Sequence, residues 1–233
     1  MNRSHLATGG AGSLLAAGFA AAWLCAVSCA GAAATINELI SAIIKGDVQA
    51  IQAQVDQGFP PTARDSNGRN LLHHAIEQLR YELIAPLAKM GVDPNIADRR
   101  GITPLIMVCE DGNLSAFESL IEAGAVIRPN HPLAGNAFRH ALIAGHPQLV
   151  QRFLDAGFSA RDPFESYENR SSPLLFAARG TAAVVDLLVS RGARVEEFGG
   201  GDFFNLNPLI SAAAWNRPAA VNALIRHGAR VST

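Results

Sequence analysis

Charge is nearly balanced in this 233-residue chain, and lysine is almost missing. Only Lys45 and Lys89 occur, so arginine supplies nearly all the positive charge within a net charge of −1. A chain without a basic excess has no broad phosphate-binding face, which excludes nucleic acid as its expected partner. Aromatic residues are also scarce, at 6 %, although apolar residues make up 49 %. Alanine, leucine and glycine therefore carry the interior, and small helix-formers packed closely together are the expected result. Cysteine is limited to Cys25, Cys29 and Cys109. No paired-cysteine metal motif is present, nor a GxSxG elbow, an HExxH pair or a phosphate loop. These absences exclude the common routes to hydrolysis, metal chemistry and nucleotide binding. The expectation is a non-enzymatic chain with no cofactor, no metal and no small-molecule substrate.

The N-terminal stretch lacks charge altogether after Arg3, until Glu38. An apolar run from Leu14 to Val27 passes into small residues from Ser28 to Ala34. A basic start, a short apolar core and a small-residue exit describe a secretory signal peptide, here residues 1–34. Ala30-Gly31-Ala32 and Ala32-Ala33-Ala34 both fit the small-x-small cleavage pattern. An uncleaved anchor and a lipoprotein modified at Cys29 are the alternatives that would keep the chain on a membrane; Ala26 stands where a lipoprotein signal has a leucine-like residue. Each outcome places the remainder on the exported side; the periplasm of a bacterium is the expected location, with secretion from a eukaryotic cell as the alternative. Cleavage after residue 34 leaves Cys109 alone. The exported part then has no intrachain disulfide, and Cys109 reads as a small buried core residue.

From residue 35 onward the chain repeats itself. The stretches DQGFP, KMGVD, EAGAV, DAGFS, SRGAR and RHGAR place Gly58, Gly91, Gly124, Gly157, Gly192 and Gly228 at steps of 33, 33, 33, 35 and 36. Each glycine follows a helical pattern such as LSAFESLIEAG, where a left-handed C-terminal residue is wanted. A second ladder lies between them: GRNLLHHAI, GITPLIMVC, GNAFRHALI, SSPLLFAAR and LNPLISAAA. In its fullest copy, Thr103 caps a helix that Pro104 opens and Leu105 anchors; Pro173 and Pro208 repeat the device, and Asn70 and Asn136 stand at the capping position. Gly46, Gly112, Gly145 and Gly180 mark a tight break between two helices. Ala75, Ala141, Ala177 and Ala213 are the small residues expected where helices approach.

This pattern resembles the ankyrin repeat over residues 35–233. The resemblance implies an all-α ankyrin solenoid of six helix-turn-helix repeats with short turn loops, at about 35–60, 61–93, 94–126, 127–159, 160–194 and 195–233. It also implies that His73 and His146 occupy architectural positions, which counts against a metal site built from His73, His74, His131, His140 and His146. Binding is then expected on the inner face formed by the turn tips and the exposed side of each first helix. The positions so mapped are Arg69 in repeat two; Arg99, Arg100, Ile102, Glu110 and Asp111 in repeat three; Tyr167 in repeat five; and Phe203, Phe204 and Trp215 in repeat six. Glu77, Gln78, Glu168, Arg179 and Leu206 fall on the same face. Phe203 and Phe204 follow three glycines, so they are either part of an apolar contact patch with Tyr167 and Trp215 or a cap on the last repeat. The partner expected is another protein, such as an envelope-acting toxin or enzyme that the chain inhibits. An accessory factor in periplasmic stress defence and a general envelope scaffold are the competing roles.

Overall fold

The computed structural model describes residues 36, 38–164, 172–196 and 207–230. The proposed signal segment, Tyr167 and Glu168, and Phe203, Phe204 and Leu206 lie outside the described residues.

Helices come in pairs. The first pair is α1 (38–45) and α2 (Val48–Asp56); the second is α3 (Leu71–Glu77) and α4 (Ile84–Lys89), which is entered through a 3₁₀ turn at Tyr81–Leu83. Then follow α5 (Pro104–Asp111) with α6 (Leu114–Glu122), α7 (Pro132–Ala144) with α8 (Pro147–Asp155), α9 (Pro173–Ala177) with α10 (Ala182–Ser190), and α11 (Pro208–Ala214) with α12 (Pro218–Arg226). The starts follow local chemistry. Asp47, Asn70, Thr103, Asn113 and Asn207 each accept a hydrogen bond from an amide of the first turn. Proline opens α5, α7, α8, α9, α11 and α12, where its missing N–H leaves nothing unsatisfied.

Two local expectations are corrected. Asn136 is no cap: it lies buried within α7, which begins a turn earlier because His131 Nδ1 accepts from the Leu133 amide and Pro132 supplies the first helical residue. Ala213 is exposed, while its neighbour Ala212 is fully buried; its counterpart in repeat three, Cys109, is buried, but no described repeat stacks on α11 from beyond. Gly180 does not share the left-handed conformation of Gly46, Gly112 and Gly145. It is required for space, since a Cβ there would collide with the carbonyl oxygen of Leu142. Two breaks dispense with glycine: Asn216 and Leu79 adopt φ of 51° and 56°. Asparagine tolerates that region, whereas for leucine it is strained by roughly 1–2 kcal/mol.

The first helices α3, α5, α7, α9 and α11 contact one another in order, and α4, α6, α8, α10 and α12 form a second row behind them. The core runs continuously between the rows, from Leu39 and Ile43 to Ala223 and Leu224. Six of the eleven phenylalanines gather inside it. Phe117 meets Phe153 at 5.4 Å between ring centroids, Phe153 meets Phe138 at 5.2 Å, Phe138 meets Phe158 and Phe164 at 4.7 and 5.0 Å, and Phe164 meets Phe176 at 5.6 Å. The few aromatic residues are thus concentrated where repeats three to five join. Such pairs contribute about 0.5–1.5 kcal/mol each beyond the area they bury.

Polar links join each repeat to the next. The Arg99 amide donates to the Asn67 carbonyl at 2.9 Å, binding two turn tips together. Within repeat three, the Asn95 side chain bridges the Gly124 carbonyl and the Val126 amide. His146 Nε2 donates to the Glu110 carbonyl at 3.1 Å, and Thr181 Oγ1 to the Gly145 carbonyl at 3.0 Å. Buried His73 accepts from the Asn70 amide at Nδ1 and donates from Nε2 to the Ile102 carbonyl, an arrangement that suits the neutral ring. Burial lowers the pKa of both His73 and His74 below the ordinary 6.5.

Two predictions follow from this packing. Leu105, only 3 % exposed, anchors α5 in a middle repeat; Leu105→Ala should lower stability by about 2–5 kcal/mol in urea unfolding and broaden the transition. A loss below about 0.5 kcal/mol would show that Leu105 does not hold the stack. The second concerns pH. The unfolded chain protonates its histidines as pH falls through 6.5, while folded His73 and His74 resist, so the unfolded state binds more protons and stability declines. The urea midpoint should therefore drop between about pH 7.5 and 5.5, and by less in His73→Gln; an unchanged or rising midpoint would contradict the buried neutral imidazoles.

Candidate functional site

The face of the inner helix row carries a succession of charged and aromatic side chains, most held by a partner from the same or the next repeat. At its N-terminal end, Arg69 Nη1 donates to both Glu77 oxygens, at 3.0 and 2.8 Å. Glu77 closes α3 and is exposed, so this pair contributes little to stability and serves to fix two surface groups. Behind it lies His74, with Nε2 3.2 Å from Asp65 Oδ2. Burial opposes ionisation of Asp65, but the amides of Arg69 and Asn67, with His74, outweigh it and hold the carboxyl below its ordinary 3.8. The Asp65 carboxylate therefore folds the turn tip and aims Arg69 at the same time.

The next tip repeats this arrangement with different ends. Asp98 accepts from the amides of Arg100 and Ile102, and Arg100 Nε lies 3.3 Å from its second oxygen. Burial disfavours the Asp98 anion; the two amides and the guanidinium overcome that and keep it ionised. Arg99 and Arg100 are exposed on this tip. Ile102 is half-buried and packs against the core, so it sets the tip's position more than it offers contact area.

Glu110 and Asp111 project from the end of α5. The hydrogen bond from His140 Nδ1, at 2.8 Å, is the leading cause of a lowered Glu110 pKa, and burial opposes it. Tyr81 donates to Asp111 at 2.9 Å; burial and that carboxylate push the phenol up to about 12, so it stays protonated and donating. At the C-terminal end Trp215 is 54 % exposed, and the Arg179 guanidinium lies 4.0 Å from its ring centroid. That is cation–π geometry.

The described positions from the sequence reading thus lie along one inner face, in three groups: Arg69 on the first tip, Arg99 to Asp111 on the second repeat of this face, and Trp215 at the far end. Tyr167, Phe203 and Phe204 lie outside the described residues. Sequence reasoning missed Tyr81 and His140 as partners. A signal was present: each lies 30 residues from its carboxylate partner, close to one repeat, as adjacent-repeat pairs must. Among the described residues, the face holds no nucleophile set against a base. Cys109 is fully buried and burial pushes its thiol far up, which keeps it unreactive. Among the described residues no cluster of His, Cys, Asp and Glu is arranged to hold a metal, and no helix is long and apolar enough to cross a membrane.

Comparison with known proteins agrees with this architecture. Residues 138–233 match the family described as ankyrin repeats in three copies. A curated relative, the E3 ubiquitin-protein ligase XBAT32 of Arabidopsis thaliana, is 33 % identical over 128 residues, which is 53 % of this chain and 25 % of that protein. The chain spans about a quarter of the length of the first curated relatives it matches. Among solved structures, the human ASB11 ankyrin repeat domain superposes with a TM-score of 0.67 at 22 % identity, covering 84 % of this chain and 85 % of that one. A chain from the complex of the Bd0816 predatory endopeptidase of Bdellovibrio bacteriovorus with immunity protein Bd3460 gives 0.64 at 21 % identity, covering 81 % of this chain and 96 % of that one. Helix pairs, turn tips and stacked rows together give this chain the ankyrin repeat fold, and its residues 138–233 match that family's model.

Proposed function

We propose that this chain is a non-enzymatic protein-binding module, exported to the bacterial periplasm, that inhibits or protects against an envelope-acting toxin or enzyme. The observation that carries the reading is the inner face itself. Its exposed groups are held in place before any partner arrives, by links such as Glu110–His140 at 2.8 Å and Arg179 over Trp215 at 4.0 Å. Preorganised groups lose little entropy on binding, which suits recognition of a folded surface. Export is supported by the Arg3-to-Ala34 pattern. The inhibitory role is supported by the likeness to a chain from the complex of an endopeptidase with an immunity protein.

Cross-linked capture from an envelope fraction, followed by assay of the captured protein, tests this reading. The captured enzyme or toxin should lose activity when the chain is added. Reversing Arg99 and Arg100 to glutamate should slow association and change its salt dependence, as rim charges do. The exported form should begin at about residues 30–35. A protein that starts at Met1 in the cytoplasm, or a captured partner whose activity is untouched, would contradict the proposal.

A further inference from the structure

The turn tips of repeats two, three and four lie wholly within the described residues, and their charges are sorted by depth. Residues 61–70, 93–103 and 126–131 set Asp65, Asp93 and Asp98 against Arg64, Arg69, Arg99, Arg100 and Arg128. The aspartates serve the fold. Asp65 accepts from the amides of Asn67 and Arg69, Asp93 from that of Asn95, and Asp98 from those of Arg100 and Ile102. Only Asp93 of the three is exposed. Arg69 is taken up by Glu77. Arg64, Arg99, Arg100 and Arg128 are all exposed. A chain of net charge −1 thus presents a tip edge whose accessible charge is mainly positive.

The central arginines are also positioned. Arg99 donates its amide to the Asn67 carbonyl at 2.9 Å, and its stem lies beside Gly68, at the joint of two tips. Arg100 Nε lies 3.3 Å from Asp98 Oδ2, whose side chain is 2 % exposed, yet the Arg100 side chain itself is 71 % exposed. A guanidinium held through Nε keeps its two terminal nitrogens for the parallel contacts that a carboxylate accepts. Among the described residues, Arg64, Arg99 and Arg128 have no ion-pair partner. The surroundings favour carboxylates carried on a protein over a dense polyanion. Glu110 lies within electrostatic reach of Arg100 and would repel closely spaced negative charge. Half-buried Ile102 and Ile127 stand near Arg100 and Arg128 in the chain and suit apolar side chains between the acids.

Building on the reading of this chain as a protein-binding module, we propose that the tips of repeats two to four, centred on Arg99 and Arg100, dock an acidic segment of the partner protein. One carboxylate of that segment accepts from the terminal nitrogens of Arg100, and a second meets Arg99. Arg64 and Arg128, on the flanking tips, extend the attraction and speed the encounter. Glu77 and Glu110, at the ends of α3 and α5, keep the segment on the tips and away from the helix ends.

Titration of the full chain with a random glutamate–tyrosine copolymer tests this. A lysine–tyrosine copolymer, inorganic polyphosphate and phosphatidylglycerol vesicles are the comparisons. The acidic copolymer should bind saturably, and amide exchange should slow at residues 64–70 and 98–102. Arg99→Glu, at a side chain that pairs with no described residue, should weaken binding by about tenfold or more. Arg100→Lys, which keeps the charge and loses the fork, should weaken it by about threefold. Arg217→Glu, the same charge reversal at an exposed residue of repeat six, should alter it by less than about twofold. Equal binding to the basic copolymer, to polyphosphate or to vesicles would overturn the proposal, as would equal weakening by Arg217→Glu or protection away from the tips. If the acidic copolymer fails to bind, or ignores Arg99→Glu, while an envelope partner is still captured and inhibited, the dock is wrong and the protein-binding reading stands. If no partner is captured at all, the reading falls and this proposal with it.

Discussion

The constraint on which everything else depends is that a two-helix repeat has apolar residues on both flanks and cannot hide them alone. Ile76, Ile106 and Leu142 sit on short helices and become inaccessible only because a further helix pair lies against them. Stability in such an array is close to a sum of repeat and interface contributions. The interfaces are not equal. The chain of rings from Phe117 through Phe153 and Phe138 to Phe164 and Phe176 reinforces the joints of repeats three to five. At the C-terminal end the same positions lose their cover: Ile210 is 48 % exposed although Ile106, its counterpart, is fully buried.

That stacking also determines what the surface can do. Each repeat offers a rigid tip and the end of one helix, and the next repeat supplies the partner that fixes them. Tyr81 holds Asp111, and His140 holds Glu110, because helices one repeat apart run side by side. The polar links within the stack follow the same rule; His73 reaches the Ile102 carbonyl and so couples the buried centre of one repeat to the tip of the next. A surface built this way is extended. It suits recognition of another macromolecule.

Much of this architecture was legible in the residues. The glycine ladder and the Thr103-Pro104-Leu105 start located the helix pairs, because capping and left-handed turns are decided by local chemistry. What escaped was decided by neighbours. Asn136 has the right type for a cap, but His131 and Pro132 begin the helix earlier. Leu79 takes a left-handed conformation that no propensity would assign to it, imposed by the break it must make before Arg80 reaches the Ile44 carbonyl. The phenylalanine cluster was hidden by a low overall aromatic content, since composition does not record where rings gather. On the inner face, register identified Arg99, Glu110 and Trp215 as surface positions, whereas their fixing by Asp98, His140 and Arg179 emerged only from packing across repeats.

The central claim, that each repeat is held by its neighbours, is tested most directly by amide hydrogen exchange resolved along the folded chain. The account predicts strongest protection in α5 to α8, where both flanks are covered and the phenylalanines meet, with protection declining toward α2 and α12. Equal protection in α12 and α7, or a maximum at either end, would show that the array opens as a single unit and would contradict it.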